Sequence, residues 1–329
     1  MVANDARPRR PLTLLRTAAG SPPTVTQYRV FRDLGCRIVA ADCDPRSVGF
    51  AFADASYVVP RVGEADYLDR MLEICRLEGV QVFLPALDEE LVLCAGHRAR
   101  FEALGTRVLV SGAGALAVCT DKLRTFTLFQ GLGIPTPLTL AAEDYREGAL
   151  GAYPLVIKPR SGRGGTGVHL ARNHREATFF AGYVGNAVVQ EHCAGEELTL
   201  DVLADLDSEV RILSPRRRLA VDSGISSKGA TCWREDLLEP TQRMVKALGL
   251  VGPLNVQCFV TDTARFTEIN ARIAGTAILS QAAGVPYFEG ILDLAAGQVP
   301  ATWLKPAETT VMYRYWEEHY RKPGAGVSP

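Results

Sequence analysis

Two clusters in this 329-residue chain have residue types and spacing suited to phosphate and metal chemistry. The first is LVIKPRSGRGGTG, in which an apolar run ends at Lys158, followed by Ser161 to Gly167 with four glycines in seven residues. Glycines let consecutive backbone N–H groups point into one concavity and wrap phosphate oxygens, and a neighbouring lysine supplies the opposite charge. It is not a Walker loop, because the lysine precedes the glycines and G-x-x-x-x-G-K-[ST] is absent. A glycine-rich hairpin turn with a surface lysine is the plain alternative. The second cluster is FTEINAR, Phe266 to Arg272, preceded by NVQCFV, Asn255 to Val260; these read as two strands joined by the turn Thr261 to Ala264. Alternate strand residues share a face, so Glu268 and Asn270 point the same way and Arg272 follows them, with Gln257 offered by the partner strand. Polar groups on one face of an otherwise apolar strand are costly unless something binds them. Magnesium takes oxygen ligands, usually one or two carboxylates with phosphates and water, and suits this set. Flanking Ile269 and Phe259 read as buried, which weakens the alternative of a face open to solvent.

A third stretch, VVQEHCAGEELTLDVLAD, ends a strand at Glu191 and reaches a second acidic pair, Glu196 and Glu197. An acid at a strand end beside an apolar turn suits a nucleoside: Glu191 and the backbone around His192 and Cys193 at the base, Glu197 at the ribose hydroxyls.

The elements that must position these groups follow two patterns. Over the first third, near-continuous apolar runs at Leu12 to Arg16, Arg37 to Asp42, Ala55 to Val59, Val80 to Pro85 and Arg107 to Ser111 read as buried parallel strands. Helical segments at Tyr67 to Glu78 and Glu89 to Leu104 lie between them, giving a Rossmann-like α/β unit. Its first turn, RTAAGSPPT, lacks G-x-G-x-x-G, so although Asp42 and Asp44 end the second strand where a ribose acid would sit, a scaffold role is preferred over cofactor binding. A helical segment from Gly114 to Gly131 is closed by GLGIPTP, and beyond it strands at Tyr153 to His169, Ala187 to Glu191 and Leu198 to Leu206 mix with helices at Asn173 to Tyr183 and Glu239 to Leu248 in α+β order.

Composition narrows the function classes. With 47% hydrophobic and 22% charged residues the chain reads as globular, and its formal net charge of -1, with Arg216 to Arg218 the densest basic run, shows no nucleic-acid footprint. No stretch approaches the roughly 18 apolar residues of a membrane span, and Met1 to Pro11 lacks the apolar block of a secretion signal, so a cytoplasmic protein with no membrane partner is expected. The eight cysteines form no C-x-x-C pair and read mostly as small buried hydrophobes. The end, KPGAGVSP from Lys322, has the composition of a disordered terminus.

Taken in order, AADCDPRSVGFAFADASYVVP, FLPALDEEL, TDKLRTF, the VIKP-glycine loop, VQEHCAGEE, GISSKGAT, NVQCF and EINAR resemble the ATP-grasp superfamily of carboxylate–amine ligases, and the carbamoyl-phosphate synthetase large-subunit branch in particular. The resemblance runs from the first strand to about Gly297. It implies a Rossmann-like pre-ATP-grasp domain over residues 1–113 and a two-lobed ATP-grasp fold, with a small lobe at 114–188 and a large lobe at 189–329. It also implies ATP and Mg²⁺, with Mn²⁺ as a substitute. Lys122 and Lys158 would contact the phosphates, while Ser161, Gly162, Gly164, Gly165, Thr166 and Gly167 would form the flap over them. Glu191, His192, Cys193 and Glu197 would hold the nucleoside, Gln257, Glu268 and Asn270 the metal, and Arg272 the acyl phosphate or its carboxylate precursor.

Two departures bear on the substrate. The synthetase branch carries a second arginine shortly after the metal-binding asparagine, where this chain has Ala274, Gly275 and Thr276, so a larger organic acid is favoured over bicarbonate. Gln257 replaces a carboxylate used by many other members, although the synthetase branch accepts glutamine. The implied reaction is activation of a small carboxylic acid or amino acid as an acyl phosphate and attack by an amine. Arg216, Arg217 or Arg218, together with Lys228, is a candidate receiver of the carboxylate, with solvated arginines as the alternative. An acyl-phosphate-releasing or carboxylating enzyme and a non-catalytic nucleotide-binding module are the competing readings. Tyr313, Tyr315 and Trp316 are expected in the core rather than over the site or at a homodimer contact.

Overall fold

The computed structural model describes residues 12–162, 164–222 and 224–320; the segments Met1 to Pro11 and Lys322 to Pro329 discussed above lie outside them. Three sheets organise the chain. The first contains β1 (Thr13–Arg16), β2 (Arg37–Asp42), β3 (Ala55–Val58), β4 (Val82–Leu84) and β5 (Arg107–Val108) in the order β3-β2-β1-β4-β5. All its pairings are parallel, as expected of strands separated by helices.

Two expected helices are each broken in two. Glu89 to Leu104 becomes Asp88–Gly96 and Arg98–Glu102, interrupted at His97, which follows the weak helix former Gly96 and leaves helical geometry (φ -122°, ψ 18°). Gly114 to Gly131 becomes Ala113–Cys119 and Lys122–Gly131. Here Asp121 is extended (φ -123°, ψ 108°), and its carboxylate accepts from the N–H groups of Leu123 and Arg124 at 3.0 and 3.1 Å. This cap starts a new helix and places Lys122 at its first position.

The second sheet is small and antiparallel: β6 (Thr139–Ala141), β7 (Leu155–Pro159), β8 (His169–Ala171) and β9 (Ala187–Glu191), ordered β6-β9-β7-β8. The third contains β10 (Glu196–Ala204), β11 (Val210–Asp222), β12 (Ile225–Thr231), β13 (Gly252–Val260), β14 (Ala264–Asn270) and β15 (Val311–Tyr313), ordered β14-β13-β10-β11-β12-β15 and antiparallel throughout.

The first and third sheets share apolar cores. Leu15, Phe83 and Phe101 belong to the same buried cluster as Leu200, Val256 and Phe266. In a second cluster, Tyr28 and Phe31 meet Tyr287 and Phe288, the rings of Phe31 and Phe288 standing edge to face 5.0 Å apart. Each such fully buried side chain contributes about 1.5–3 kcal/mol, so these two sheets form one base. The small sheet closes its own core around Leu155, Ile157, Ala177 and Val189. The tail aromatics correct the core expectation: Tyr313, Tyr315 and Trp316 are 69%, 81% and 85% exposed, because edge strand β15 pairs only with β12. Four cysteines are buried (Cys36, Cys75, Cys94 and Cys258), Cys43 is exposed, and no disulfide joins the described cysteines. Among the described residues no helix is long and apolar enough to cross a membrane.

Candidate active site

A bulge in the β13–β14 hairpin sorts the polar groups from the core. Gln257 pairs with Glu268 but Cys258 pairs with Phe266, so Thr267 is the extra residue. Regular alternation would put Phe266 and Glu268 on one face. The bulge instead lets Phe266 enter the core with Cys258 while Glu268 lies beside Gln257. Asn255 and Asn270 pair one step along on the same face, and the row continues through Thr199 and Asp201 of β10 to Arg216 and Ser214 of β11.

This face meets three cavities, and Glu268 lines all of them. The first cavity, about 440 Å³, collects Lys122, Lys158, Gly162, Gly164, Gly165, Thr166, Glu191, His192, Cys193, Glu197 and Gln257. Val156, Val168, Val221 and Phe259 give it apolar walls; Phe259 is therefore half-buried in the site rather than in the core. A second cavity of about 520 Å³ lies towards the first sheet and contains Arg16, Arg218, Arg272, Asn255 and Asn270. A third, about 360 Å³, is bounded by Asp88, Glu89, Lys122 and Ser161. Gly167 lines none of them; it has φ +71°, and a Cβ there would come within 3.0 Å of the Pro159 ring.

Charge is concentrated where the cavities join. Lys158 is only 7% exposed, and its Nζ lies 3.5 Å from Glu268 Oε1. Burial lowers the Lys158 pKa, and the Glu268 carboxylate offsets this only in part. Burial acts to raise the Glu268 pKa, but Lys158, Lys122 and Arg218 outweigh it and hold the carboxyl below its usual range. Burial raises Glu197, which Arg218 counters through an ion pair of 2.8 Å. Glu191 is already engaged: Arg265 grips both oxygens at 2.7 and 2.5 Å and holds the carboxyl below its usual range, while the Leu138 N–H donates at 3.2 Å. The Glu191 carboxylate is therefore already paired within the chain.

The three arginines separate by strand geometry. Arg217 points to the opposite face and pairs with Glu196 at 3.1 Å. Arg216 is buried beneath the cavity floor, bidentate to Asp201. Arg218 lines two cavities. Lys228 is a correction: it is exposed, sits beside Tyr313 at the sheet edge and lines none of the three cavities, so its ammonium stays with solvent.

Sequence reasoning missed Arg16, Asp88 and Asn255. Asn255 shares the strand parity of Gln257, and Arg16 ends β1, where parallel sheets place ligand-facing groups; both signals were present. Asp88 lies in FLPALDEEL, a stretch that carries part of the resemblance but whose spacing marks no site role for it. Arg16 is 3% exposed and is held by Gln27 Oε1 at 2.7 Å and Leu84 O at 3.0 Å. Burial pushes its guanidinium pKa down to about 10, and the charge of Arg272 acts the same way. The adjoining helix Pro22–Asp33 starts with two prolines, which remove N–H groups a phosphate would need. Asp42, at the expected ribose position, instead accepts from the N–H groups of Gly20 and Asp44 at 2.8 and 3.0 Å.

The glycine loop rests on the β11–β12 turn. Gly224 has φ +76°, and a Cβ there would lie 2.6–2.8 Å from the C, Cα and O atoms of Gly164. Lys122 Nζ donates to Gly162 O at 3.1 Å, and Arg218 Nη2 to Gly224 O at 3.0 Å. Gly224→Ala is thus expected to displace the loop and lower catalytic turnover by about 100-fold, the scale of a misplacement near 1 Å. Turnover within twofold of wild type, at an unchanged melting temperature, would show that this contact does not set the loop.

Comparison with known proteins agrees with this arrangement. Residues 119–276 match the model of the ATP-grasp domain, and residues 14–109 that of the PylC-like N-terminal domain. The chain is 24% identical over 306 residues to the carbamoyl-phosphate synthase of Methanobrevibacter smithii, covering 87% of this chain and 81% of that protein. It is 28% identical over 219 residues to the carbamoyl phosphate synthase large chain of Agathobacter rectalis, covering 59% of this chain but only 20% of that one. Among solved structures, the biotin carboxylase domain of the Hydrogenobacter thermophilus 2-oxoglutarate carboxylase, in complex with MgADP, ADP and bicarbonate, gives a TM-score of 0.73 at 17% identity, over 92% of this chain and 74% of that one. The L-amino acid ligase from Bacillus licheniformis gives 0.68 at 17% identity, over 88% and 75%. At these identities the structural likeness is one of fold. The two family models together account for most of the chain between residues 14 and 276, which carries an ATP-grasp domain preceded by a PylC-like N-terminal domain.

Proposed function

We propose that this chain is an ATP- and Mg²⁺-dependent ligase that activates a small carboxylic acid, an amino acid in our reading, as an acyl phosphate and joins it to an amine. Its parts would be a pre-ATP-grasp domain at 1–113, a small lobe at 114–188 and a large lobe at 189–329. One observation carries the proposal: Glu268 is a common wall of the lysine- and glycine-lined cavity and of the cavity bearing Arg16, Arg218 and Arg272. A triphosphate in the first and a carboxylate in the second would meet at that wall.

The donor set suits the metal. Among the described residues no group of three or more His, Cys, Asp or Glu is placed to hold an ion, so the trio Gln257, Glu268 and Asn270 relies on amide oxygens plus one carboxylate. Such oxygen donors fit Mg²⁺ completed by phosphates and water. Bound there, Mg²⁺ supplies positive charge to the phosphate oxygens.

The chain's own groups do the rest. Lys122 and Lys158 neutralise the phosphates, and Arg272 and Arg218 orient the acid so that its oxygen attacks the terminal phosphorus as ADP leaves. The amine then attacks the acyl carbon and phosphate departs, the oxyanion held by Arg272. The glycine loop closed on Gly224 keeps water from the acyl phosphate. Positions 274–276, where the synthetase branch has its second arginine, carry no cation, and Thr276 accepts a hydrogen bond from Arg216. The second cavity, at about 520 Å³, falls within the range of roughly 300–1,000 Å³ typical of organic ligands. Both features favour an acid larger than bicarbonate.

The test is ATP consumption with Mg²⁺ against pooled amino acids and small carboxylic acids, reading phosphate release and product mass. A condensed acid–amine mass is expected. Phosphate release without condensation, or a carboxylated product, would replace the ligase reading with one of its competitors.

A further inference from the structure

We infer that Asp88 is a positioning residue for Arg272, so that the N-terminal domain takes part in the chemistry. Asp88 Oδ1 accepts from Arg272 Nε at 3.1 Å, across 184 positions of sequence, with the side chains 21% and 20% exposed. Arg272 lies past the end of β14, and its backbone N–H bonds only to Asn270 O, so its own element does not orient the side chain. Asp88 engages Nε rather than the terminal nitrogens of the guanidinium. The single bond of 3.1 Å between half-buried side chains gives the pair its leverage in aim rather than in folding.

The Asp88 carboxylate is itself held in place. It is the first residue of the helix Asp88–Gly96, whose start is pinned by Glu90, a carboxylate 1% exposed. Glu90 accepts from Thr17 Oγ1 at 2.6 Å, from the N–H groups of Ala86 and Leu87 at 2.9 and 3.0 Å, and from the Tyr67 hydroxyl. Displacing the Ala86–Asp88 turn would break bonds to a buried carboxylate, which is costly. The run of contacts from Glu90 through the turn to Asp88 and Arg272 makes the first domain a rigid rest for the group proposed to meet the acyl phosphate.

This inference rests on the role proposed above for Arg272, and two measurements on the full chain separate their failures. The first is solvent exchange of the Arg272 Nε–H by ¹⁵N NMR, the signal being assigned by its loss in Arg272→Lys. Asp88→Ala is expected to speed exchange at least about tenfold at an unchanged melting temperature, as loss of a hydrogen-bond acceptor implies. Unchanged exchange would overturn the inference. The second is ATP formation from ADP with acetyl phosphate as probe. Asp88→Ala is expected to lower the rate about 10- to 100-fold with the KM for ADP within twofold, Asp88→Asn to fall between, and Asp88→Ala to add no further loss in an Arg272→Ala background. Losses that multiply in the double variant, or that track a fall in melting temperature, would show that Asp88 does not act through Arg272. A wild-type chain that forms no ATP from this probe while showing the expected exchange change counts against the ligase reading and leaves the positioning role standing.

Discussion

Glu268→Gln is expected to lower ATP turnover by about a thousand-fold, close to 4 kcal/mol of transition-state stabilisation, while the folded chain still binds ADP. Glutamine keeps the size and one acceptor oxygen of glutamate, so the β13–β14 pairing opposite Gln257 survives. What it removes is the single carboxylate of the Gln257, Glu268, Asn270 set and the counter-charge 3.5 Å from Lys158. The nucleoside contacts proposed for His192, Cys193 and Glu197 come from other elements of the same cavity, although the Glu268 charge also helps to raise the Glu197 carboxyl. The effect should therefore appear in phosphate release under saturating ATP, with ADP affinity changed far less. Turnover near wild type would remove Glu268 from the metal site. Equal loss of turnover and of ADP binding would place its role in holding the nucleotide rather than in the phosphoryl step.

The geometry of this hairpin was legible because strand periodicity is short and local. Glu268, Asn270 and Gln257 fall on one face by counting alone, and the density of glycines marked the loop at Ser161 to Gly167. The parallel first sheet was legible for a related reason: strands buried on both faces are apolar throughout. Features that depend on partners distant in sequence were not. The bulge at Thr267 follows from the need to send Phe266 into a core shared with the first sheet. The separate orientations of Arg216, Arg217 and Arg218 required knowing that β11 lies between β10 and β12. Lys228 looked like a carboxylate receiver by charge and proximity in sequence, whereas its place on β12 beside the edge strand leaves it in solvent. Asp88 became visible only when two elements 184 positions apart met.

Asp201→Ala should be the most destabilising single change of a charged residue in the large sheet. Arg216 and Asp201 are 1% and 0% exposed and are joined by two bonds of 2.6 and 2.7 Å, and Ser280 Oγ donates to the same carboxylate at 2.5 Å. Removing the acid leaves a buried guanidinium with the Thr276 hydroxyl as its remaining side-chain partner. Breaking a buried pair in this way costs about 3–5 kcal/mol, chiefly because the remaining charge is uncompensated. Replacing both partners with apolar residues of similar volume, Asp201→Leu with Arg216→Met, is expected to recover most of the lost melting temperature. Turnover should not return with it. Thr276 and Asn255 line the arginine-bearing cavity, Arg216 fixes the first of these, and Asn255 Oδ1 is buried there with no hydrogen-bond partner among the described residues. With an apolar floor, Thr276 loses its donor and the cavity loses a defined polar wall. Stability recovered without turnover would assign the pair to ordering the floor of the acid site; recovery of both would make it an ion pair that the fold and the reaction can do without.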